Sequence, residues 1–197
     1  MGLNGNLFYK HKSVSFETDE LFPPFEGKRR NLFALAQNST HMFEVGVNGG
    51  HSLFLALSAN PKLQVTGVDI CRQIEPSWGR VDIYVPAAFD WLKAAFPGRT
   101  RFITGNSLIE IPRYVENNPD QRVDLLHLDG AKDTHLREFL AIRPCLEKSG
   151  KVVLDDTHTK PVRLGMRQII RLGMARHIGD NNIGVQMVRQ HRVLEVL

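Results

Sequence analysis

Short apolar runs alternate with longer amphipathic segments along most of the chain. The short runs have the length of buried strands, and they lie at residues 42–47, 64–69, 100–104, 123–128 and 150–155. The amphipathic segments have helical spacing, and they lie at residues 27–37, 51–59, 86–96, 107–117, 133–147 and 161–173. Five strands separated by helices predict an α/β fold with a Rossmann-like, doubly wound, mostly parallel sheet.

Two further apolar runs, 183–188 and 192–196, are separated by too few residues for a crossover helix. An antiparallel hairpin is therefore predicted at the C-terminal end of the sheet. The chain has 197 residues, of which 42% are hydrophobic. This length suffices for one α/β domain with a full core and is short for two, so a single domain is expected.

A glycine-rich loop joins the first predicted strand to the helix that follows it. Gly46, Gly49 and Gly50 fall at the carboxyl edge of the sheet, where open α/β sheets bind ligands. A dinucleotide-binding loop would need a glycine where this chain has Asn48, and no Gly-Lys-Ser/Thr of a phosphate-binding loop follows. The loop therefore predicts a different ligand, pressed against the backbone. The alternative is that the glycines only shape a tight turn.

Two acidic residues accompany this loop at the same edge of the predicted sheet. Glu44 lies inside the first strand, and Asp69 ends the second. A carboxylate at the position of Asp69 can accept hydrogen bonds from both hydroxyls of a ribose. The glycine loop and Asp69 together therefore indicate a ligand that contains a nucleoside.

Three more carboxylates fall at the ends of the fourth and fifth predicted strands. Asp129 follows the fourth strand, and Asp155 and Asp156 follow the fifth. Because the carboxyl ends of parallel strands meet at one sheet edge, the three side chains are expected to converge. Hard carboxylate oxygens without thiolates suit magnesium, calcium or manganese rather than zinc. The alternative is that Asp156 caps the following turn and that Asp129 binds only the cofactor.

The three motifs together resemble a known enzyme family. Residues 44–52 read E-V-G-V-N-G-G-H-S, residues 128–133 read L-D-G-A-K-D, and residues 154–156 read L-D-D. This set resembles the class I S-adenosylmethionine-dependent methyltransferases. Within that class it is similar to metal-dependent small-molecule O-methyltransferases, typified by catechol O-methyltransferase and by bacterial enzymes with D-G-x-H and D-D-T motifs. Lys132 departs from the bacterial pattern, which commonly has histidine there, and Asp156 departs from the catechol pattern, which has asparagine.

The resemblance implies S-adenosylmethionine as the cofactor. The glycine loop would hold its methionine portion, Asp69 its ribose, and the residues after the third strand its adenine edge. The full set of implied cofactor contacts is Glu44, Gly46, Asn48, Gly50, Ser52, Asp69, Asn106, Ser107 and Asp129. For Asn106 an ordinary turn or helix-cap role is the alternative.

The resemblance also implies a divalent ion, with magnesium as the first choice. Its ligands would be Asp129, Asp155 and Asp156. The same family pattern divides the chain into two parts. Residues 1–40 would form an N-terminal segment and leading helix that could cap the substrate, and residues 41–197 would form the S-adenosylmethionine-binding methyltransferase domain.

Methyl transfer to a hydroxyl needs a base near the acceptor oxygen. Lys132 is the first candidate, because a neighbouring cation would disfavour its charged form. His158, just beyond the acidic pair, is the second candidate. The alternative for Lys132 is a solvent-facing lysine at the start of a helix, and His51 and His135 are expected to be structural or surface groups.

A net charge of +4 and a pI near 9.2 raise the question of nucleic-acid binding. Basic residues that could meet phosphates cluster at 10–12 and 28–30, and Arg163, Arg167 and Arg171 follow one face of a predicted helix. No RNA-binding appendage accompanies them, and the Asn/Asp-Pro-Pro-aromatic motif of base-methylating enzymes is absent from the sequence. The arginine row is therefore expected to be a solvated face, and nucleic acid is not the expected substrate.

The sequence also indicates a cellular location. Cys71 and Cys145 are too few for a disulfide framework and are expected to be small buried thiols, which fits a reducing compartment. The N-terminus lacks the apolar segment of a signal peptide, and no stretch approaches membrane-spanning length. A cytoplasmic protein without a membrane partner is expected. A homo-oligomer is compatible with the sequence, which does not define the oligomeric state.

The function predicted from these features is S-adenosylmethionine-dependent methyl transfer to a hydroxyl of a small molecule, assisted by a divalent ion. Two alternatives stay open at this point. A nucleic-acid methyltransferase would bind RNA or DNA tightly and with strong salt dependence. A non-catalytic module would bind S-adenosylmethionine and show no turnover with any acceptor.

Overall fold

The computed structural model describes residues 7–10, 20–74, 78–178 and 191–197. The strands in these residues are β1 (His41–Val45), β2 (Gln64–Asp69), β3 (Thr100–Thr104), β4 (Val123–Leu128), β5 (Leu146–Asp155), β6 (Ala175–His177) and β7 (His191–Val196). The helices are α1 (Glu26–Gln37), α2 (His51–Ala59), α3 (Val81–Ala95), α4 (Ser107–Asn117), α5 (His135–Ile142) and α6 (Lys160–Arg171). Short 3-10 turns at Pro23–Phe25 and Arg143–Cys145 precede α1 and β5.

The strands of the described residues form one sheet with the order β3-β2-β1-β4-β5-β7-β6. The first five strands run parallel, and β7 runs antiparallel to both β5 and β6. The predicted doubly wound sheet with an antiparallel C-terminal pair is thus confirmed. The predicted strand 183–188 lies outside the described residues. In the described residues, β6 takes the place predicted for that strand beside β7. β6 has only three residues, too few to give an apolar pattern in the sequence.

Two boundaries differ from the sequence-based prediction because of prolines. The third helix begins at Val81 rather than at Pro86, which lies inside the helix although proline favours the first helical turn. The fifth helix ends at Ile142, because the 3-10 turn that contains Pro144 redirects the chain into β5. No helix in the described ranges is long and apolar enough to cross a bilayer.

The core has two halves, one on each face of the sheet. Successive strand residues point to opposite faces, so Met42 joins one half and Phe43 the other, and both are fully buried. The first half packs against α1, α2 and α3, and the second packs against α4, α5 and α6. Packing on both faces fixes the carboxyl ends of β1, β2, β4 and β5 along one edge, where the acidic and glycine motifs lie.

Candidate cofactor and catalytic site

The glycine loop has a left-handed backbone at three positions, with φ of 84° at Gly46, 52° at Asn48 and 75° at Gly50. A Cβ at Gly46 would lie 2.7 Å from backbone atoms of Asp129 and of Gly130. This glycine is therefore required by the close approach of the loop after β4, whether or not a ligand is bound. The tight-turn alternative accounts for Gly46, and the contact brings the first and fourth strand ends together.

Asp69 is held rigidly at the mouth of this loop. Its Oδ2 accepts a hydrogen bond from the Asn48 amide at 2.9 Å, and its Oδ1 accepts one from the Cys71 amide at 2.8 Å. Each oxygen keeps a further lone pair, as the predicted ribose contact requires. The Tyr84 hydroxyl donates to the Asn48 Oδ1 at 2.6 Å, a link that the sequence did not indicate.

Glu44 is fully buried and lies next to a histidine that sequence analysis missed. The register of β1 and β4 places Glu44 beside His127, whose Nδ1 lies 2.6 Å from the Glu44 Oε1. The Ser52 hydroxyl donates to the same oxygen. Burial opposes the charge on His127, but the hydrogen bond and the charge of Glu44 outweigh it and raise the pKa of the imidazole.

The second oxygen of Glu44 gives the site its clearest sign of a ligand. Oε2 is buried and accepts no hydrogen bond from the described residues. An orphaned carboxylate oxygen beside a glycine loop fits an ammonium group, such as that of the methionine portion of S-adenosylmethionine. The residues present therefore fit the cofactor that the sequence predicted.

The three carboxylates at the ends of β4 and β5 do converge, and two lysines lie among them. The Lys28 Nζ is 2.6 Å from the Asp155 Oδ2. The Lys132 Nζ is 2.6 Å from the Asp156 Oδ2 and 3.3 Å from the Asp129 Oδ1. Every carboxylate of this cluster therefore has an ammonium group within 3.3 Å.

These contacts set the charge of each member of the cluster. Burial alone would raise the pKa of Asp155, but Lys28 together with His191 and His127 outweighs burial and lowers it to about 2. Burial and then the charge of Asp155 raise the pKa of Asp129 to about 6. Burial opposes the charge on Lys132, yet Asp129 and Asp156 together raise the pKa of its ammonium well above the ordinary value.

Lys28 belongs to a basic run that the sequence associated with phosphates, and the structure corrects this interpretation. Lys28 and Arg29 are buried, and only Arg30 is exposed, where it pairs with Glu26. The Arg29 Nη1 donates hydrogen bonds to the carbonyls of Leu7 and Phe22, each at 3.1 Å. Two of the three basic residues face inward, because α1 packs them against the rest of the domain. The charges of neighbouring residues in the sequence do not reveal this.

The same cluster can be tested for a divalent ion. Ligand atoms of His127, Asp129 and Asp155 lie within 4.8 Å of one another, so the donors are close enough. However, both oxygens of Asp155 are engaged, one by Lys28 and the other by the Asp156 amide at 2.9 Å. The predicted ligand Asp156 is bound by Lys132. The ammonium groups of Lys28 and Lys132 therefore lie against the predicted ligands, where a divalent ion would compete with them.

His158 lies at the open side of this cluster. Its Nδ1 is 3.7 Å from the Asp156 Oδ1, and its side chain is 39% exposed. Asp156 has a φ of 52°, and its carbonyl accepts hydrogen bonds from the Thr159 amide and hydroxyl. The Asp156 carboxylate thus has the Lys132 ammonium at one oxygen and the His158 ring near the other.

The two residues predicted at the adenine edge have other hydrogen bonds in the structure. The Asn106 Oδ1 accepts from the Leu108 amide at 3.0 Å and caps α4, which was the alternative for this residue. The Ser107 hydroxyl donates to the buried Glu138 at 2.6 Å. Their contact with adenine stays a prediction, for which Asn106 keeps its amide NH₂ and a second lone pair on Oδ1.

The remaining predictions concern groups outside the site. His51 and His135 have their pKa lowered to about 4, chiefly by burial, as expected for structural histidines. Cys71 and Cys145 are free thiols, of which only Cys145 is fully buried. The arginines of the predicted solvated face are all exposed, and they are Arg163, Arg167 and Arg171.

Comparison with known proteins places this geometry in a family. A family model described as a methyltransferase domain matches residues 43–157. No curated protein matches the chain in sequence. Among solved structures, the calicheamicin methyltransferase CalS11 has a TM-score of 0.65 and 20% identity, with 85% of this chain and 77% of that chain covered.

Two further structures carry the same fold. An O-methyltransferase from Bacillus cereus in complex with SAH has a TM-score of 0.64 and 15% identity, covering 89% of this chain and 82% of its own. The O-methyltransferase TomG from Streptomyces achromogenes, in complex with SAM, has a TM-score of 0.61 and 18% identity, covering 87% and 79%. With its family match over more than half its length, the chain belongs to the methyltransferase domain family and is a class I S-adenosylmethionine-dependent methyltransferase.

Proposed function

We propose that this protein transfers the methyl group of S-adenosylmethionine to a hydroxyl of a small molecule. One observation carries the proposal: the orphaned oxygen of Glu44 and the cluster of Lys132, Asp156 and His158 lie at the same sheet edge. A cofactor site and a group of acid-base side chains therefore adjoin. The structural neighbours CalS11, TomG and the Bacillus cereus enzyme are all described as O-methyltransferases.

The cofactor would lie along the ends of β1 and β2. Its ammonium would bind the free oxygen of Glu44, and its ribose hydroxyls would bind Asp69. Asn48, Gly50 and Ser52 would line the methionine portion. Because Asp69 is already fixed by two backbone amides, binding the ribose costs little further ordering of this side chain.

The chemistry asks the protein for position and for proton removal, since the sulfonium is itself a good leaving group. The acceptor oxygen attacks the methyl carbon, and the carbon–sulfur bond breaks with its electron pair staying on sulfur, which gives S-adenosylhomocysteine. We assign the acceptor proton to His158, whose Nδ1 lies 3.7 Å from the Asp156 Oδ1 at the open side of the cluster. The Lys132 ammonium beside it would stabilise the developing negative charge on the acceptor oxygen.

The metal-assisted form of this reaction is the second candidate, and the proximity of Asp129 and Asp155 is the observation that favours it. In that form Asp129 and Asp155 would hold a magnesium-type ion, whose charge would make the acceptor hydroxyl more acidic, and Lys132 would act as the base. The raised pKa of Lys132 in the observed arrangement favours the ammonium instead. Lys132 as base therefore requires the ion, and His158 as base does not.

The N-terminal segment is proposed to cap the site, as the division at residue 40 predicted. The Leu7 amide donates to the His51 Nδ1 at 3.2 Å, and the Phe8 ring lies 5.4 Å from the His51 ring. His51 directly follows the glycine loop as the first residue of α2. The segment around Leu7 and Phe8 thus lies next to the proposed methionine end of the cofactor.

Two measurements test the proposal in sequence. Calorimetry with S-adenosylhomocysteine comes first, and a failure to bind would contradict the cofactor site. A panel of hydroxylated small acceptors comes second, with S-adenosylhomocysteine formation as the readout. Binding without turnover on any acceptor would identify the non-catalytic alternative, and turnover on RNA alone would identify the nucleic-acid alternative.

A further inference from the structure

We propose that Lys28 and Lys132 are built-in cations of the carboxylate cluster, which take the place of a divalent ion. The assignment rests on the proposed function for its role in catalysis, since these ammonium groups would then set the field in which the acceptor hydroxyl loses its proton. Lys132 would act on the acceptor directly. Lys28 would be a positioning residue that acts through Asp155.

The pair of Lys28 and Asp155 is nearly removed from solvent. Their side chains are 10% and 8% exposed, and the Nζ–Oδ2 distance is 2.6 Å. A buried lysine is strongly unfavourable unless a carboxylate neutralises it, and the reverse holds for a buried aspartate. Because α1 and β5 each supply one member across 127 residues of sequence, docking of the leading helix itself depends on this charge.

Each oxygen of Asp155 also already accepts one hydrogen bond. Lys28 takes Oδ2, and the Asp156 amide takes Oδ1 at 2.9 Å. A divalent ion on either oxygen would lie a few ångströms from the Lys28 ammonium, and in a buried site that repulsion is poorly screened. The ion would therefore have to expel Lys28 from a position to which α1 commits it.

The charge of the whole cluster leads to the same conclusion. Asp129, Asp155 and Asp156 contribute three formal negative charges, and Lys28 and Lys132 contribute two positive ones. The formal balance is minus one without any ion, and a divalent ion would reverse it to plus one. A positive site would repel the sulfonium of the cofactor, whereas the observed balance attracts it.

The test measures cation binding rather than methyl transfer. Protein freed of metal with a chelator and then dialysed is titrated with Mn²⁺, followed by electron paramagnetic resonance. The wild type should show no stoichiometric binding below about 1 mM, the range of weak protein sites. Lys28→Met keeps the aliphatic stem and removes the charge, so it should raise the Mn²⁺ affinity at least about tenfold.

Matched variants identify the source of that gain. Arg30→Met, at an exposed position of the same helix, should leave Mn²⁺ binding at the wild-type level. Lys28→Met with Asp155→Asn removes both charges of the pair and should return the affinity to that level. Should Lys28→Met fail to fold, Lys132→Met, whose lysine is 35% exposed, provides the same comparison for the second cation.

Stoichiometric Mn²⁺ binding by the wild type, lost in Asp155→Asn, would overturn the proposal. So would an unchanged Mn²⁺ affinity in the folded lysine variants. Calorimetry with S-adenosylhomocysteine on the same samples separates this result from the fate of the proposed function. If the wild type binds S-adenosylhomocysteine and one Mn²⁺, the built-in cations are refuted and the cofactor site is kept. If it binds neither, the cofactor site is refuted and the built-in cations are kept.

Discussion

Gly46 and Gly98 share a left-handed backbone, with φ of 84° and 73°, but not their surroundings. A Cβ at Gly46 would lie 2.7 Å from the backbone of the β4 loop, whereas a Cβ at Gly98 would meet nothing within 4 Å. Gly98→Ala should therefore cost only the left-handed strain, about 1–2 kcal/mol of unfolding free energy. Gly46→Ala adds overpacking against rigid backbone and should cost about 1–3 kcal/mol more. Denaturant unfolding measures the free energy of unfolding of both variants. Equal losses would show that the loop after β1 does not press against the loop after β4.

A second prediction for a single residue concerns Asp69 and the binding of the cofactor. Asp69→Ala should weaken S-adenosylhomocysteine binding by about 1–3 kcal/mol, because charge-assisted hydrogen bonds to the ribose are lost. Asp120→Ala, an exposed aspartate in the loop before β4, is the matched control and should leave the affinity unchanged. Calorimetry provides the comparison, and an affinity for nicotinamide dinucleotide above that for S-adenosylhomocysteine would contradict the assignment.

The pairing of β1 with β4 creates a pH-sensitive contact between Glu44 and His127. The pKa of His127 is raised above its ordinary 6.5, so the pair stabilises the fold fully below about pH 6.5 and loses this effect as the pH rises through the raised pKa. His127→Gln should therefore destabilise the protein more at about pH 6 than at about pH 9. His177→Gln, at an exposed position of β6, should show no such dependence. Urea unfolding at the two pH values gives the difference, and a cost that grows with pH would reverse the sign assigned here.

Elements with a local pattern could be predicted from the sequence, and contacts between distant elements could not. Four strands, β2 to β4 and the C-terminal β7, match their apolar runs within one residue. Tyr84, Lys28 and His127 were missed as site residues, since their partners lie 36, 127 and 83 residues away. A lysine in a basic run looks the same in the sequence whether it faces water or a buried carboxylate, and only the docking of α1 decides between them.

At the scale of the molecule, the carboxylates of the site gather at the carboxyl edge of the sheet, where Lys28 and Lys132 pair with them. Exposed arginines lie on α6. The edge motifs could be located from the sequence because parallel strands bring their ends together whatever the details of packing. The neutralisation of that edge by two lysines depends on the whole fold, and the sequence alone did not reveal it.

The last prediction concerns the basic surface. The net charge is +4, and Arg167 and Arg171 are exposed on α6. If this face is only solvated, Arg167→Gln combined with Arg171→Gln should leave turnover on a small acceptor within about twofold and RNA affinity in the non-specific range, weaker than about 1 μM at physiological salt. Filter binding at several salt concentrations measures the RNA affinity. Sub-micromolar binding that falls steeply with salt and weakens in the double variant would make α6 a nucleic-acid surface and move the acceptor from a small molecule to RNA.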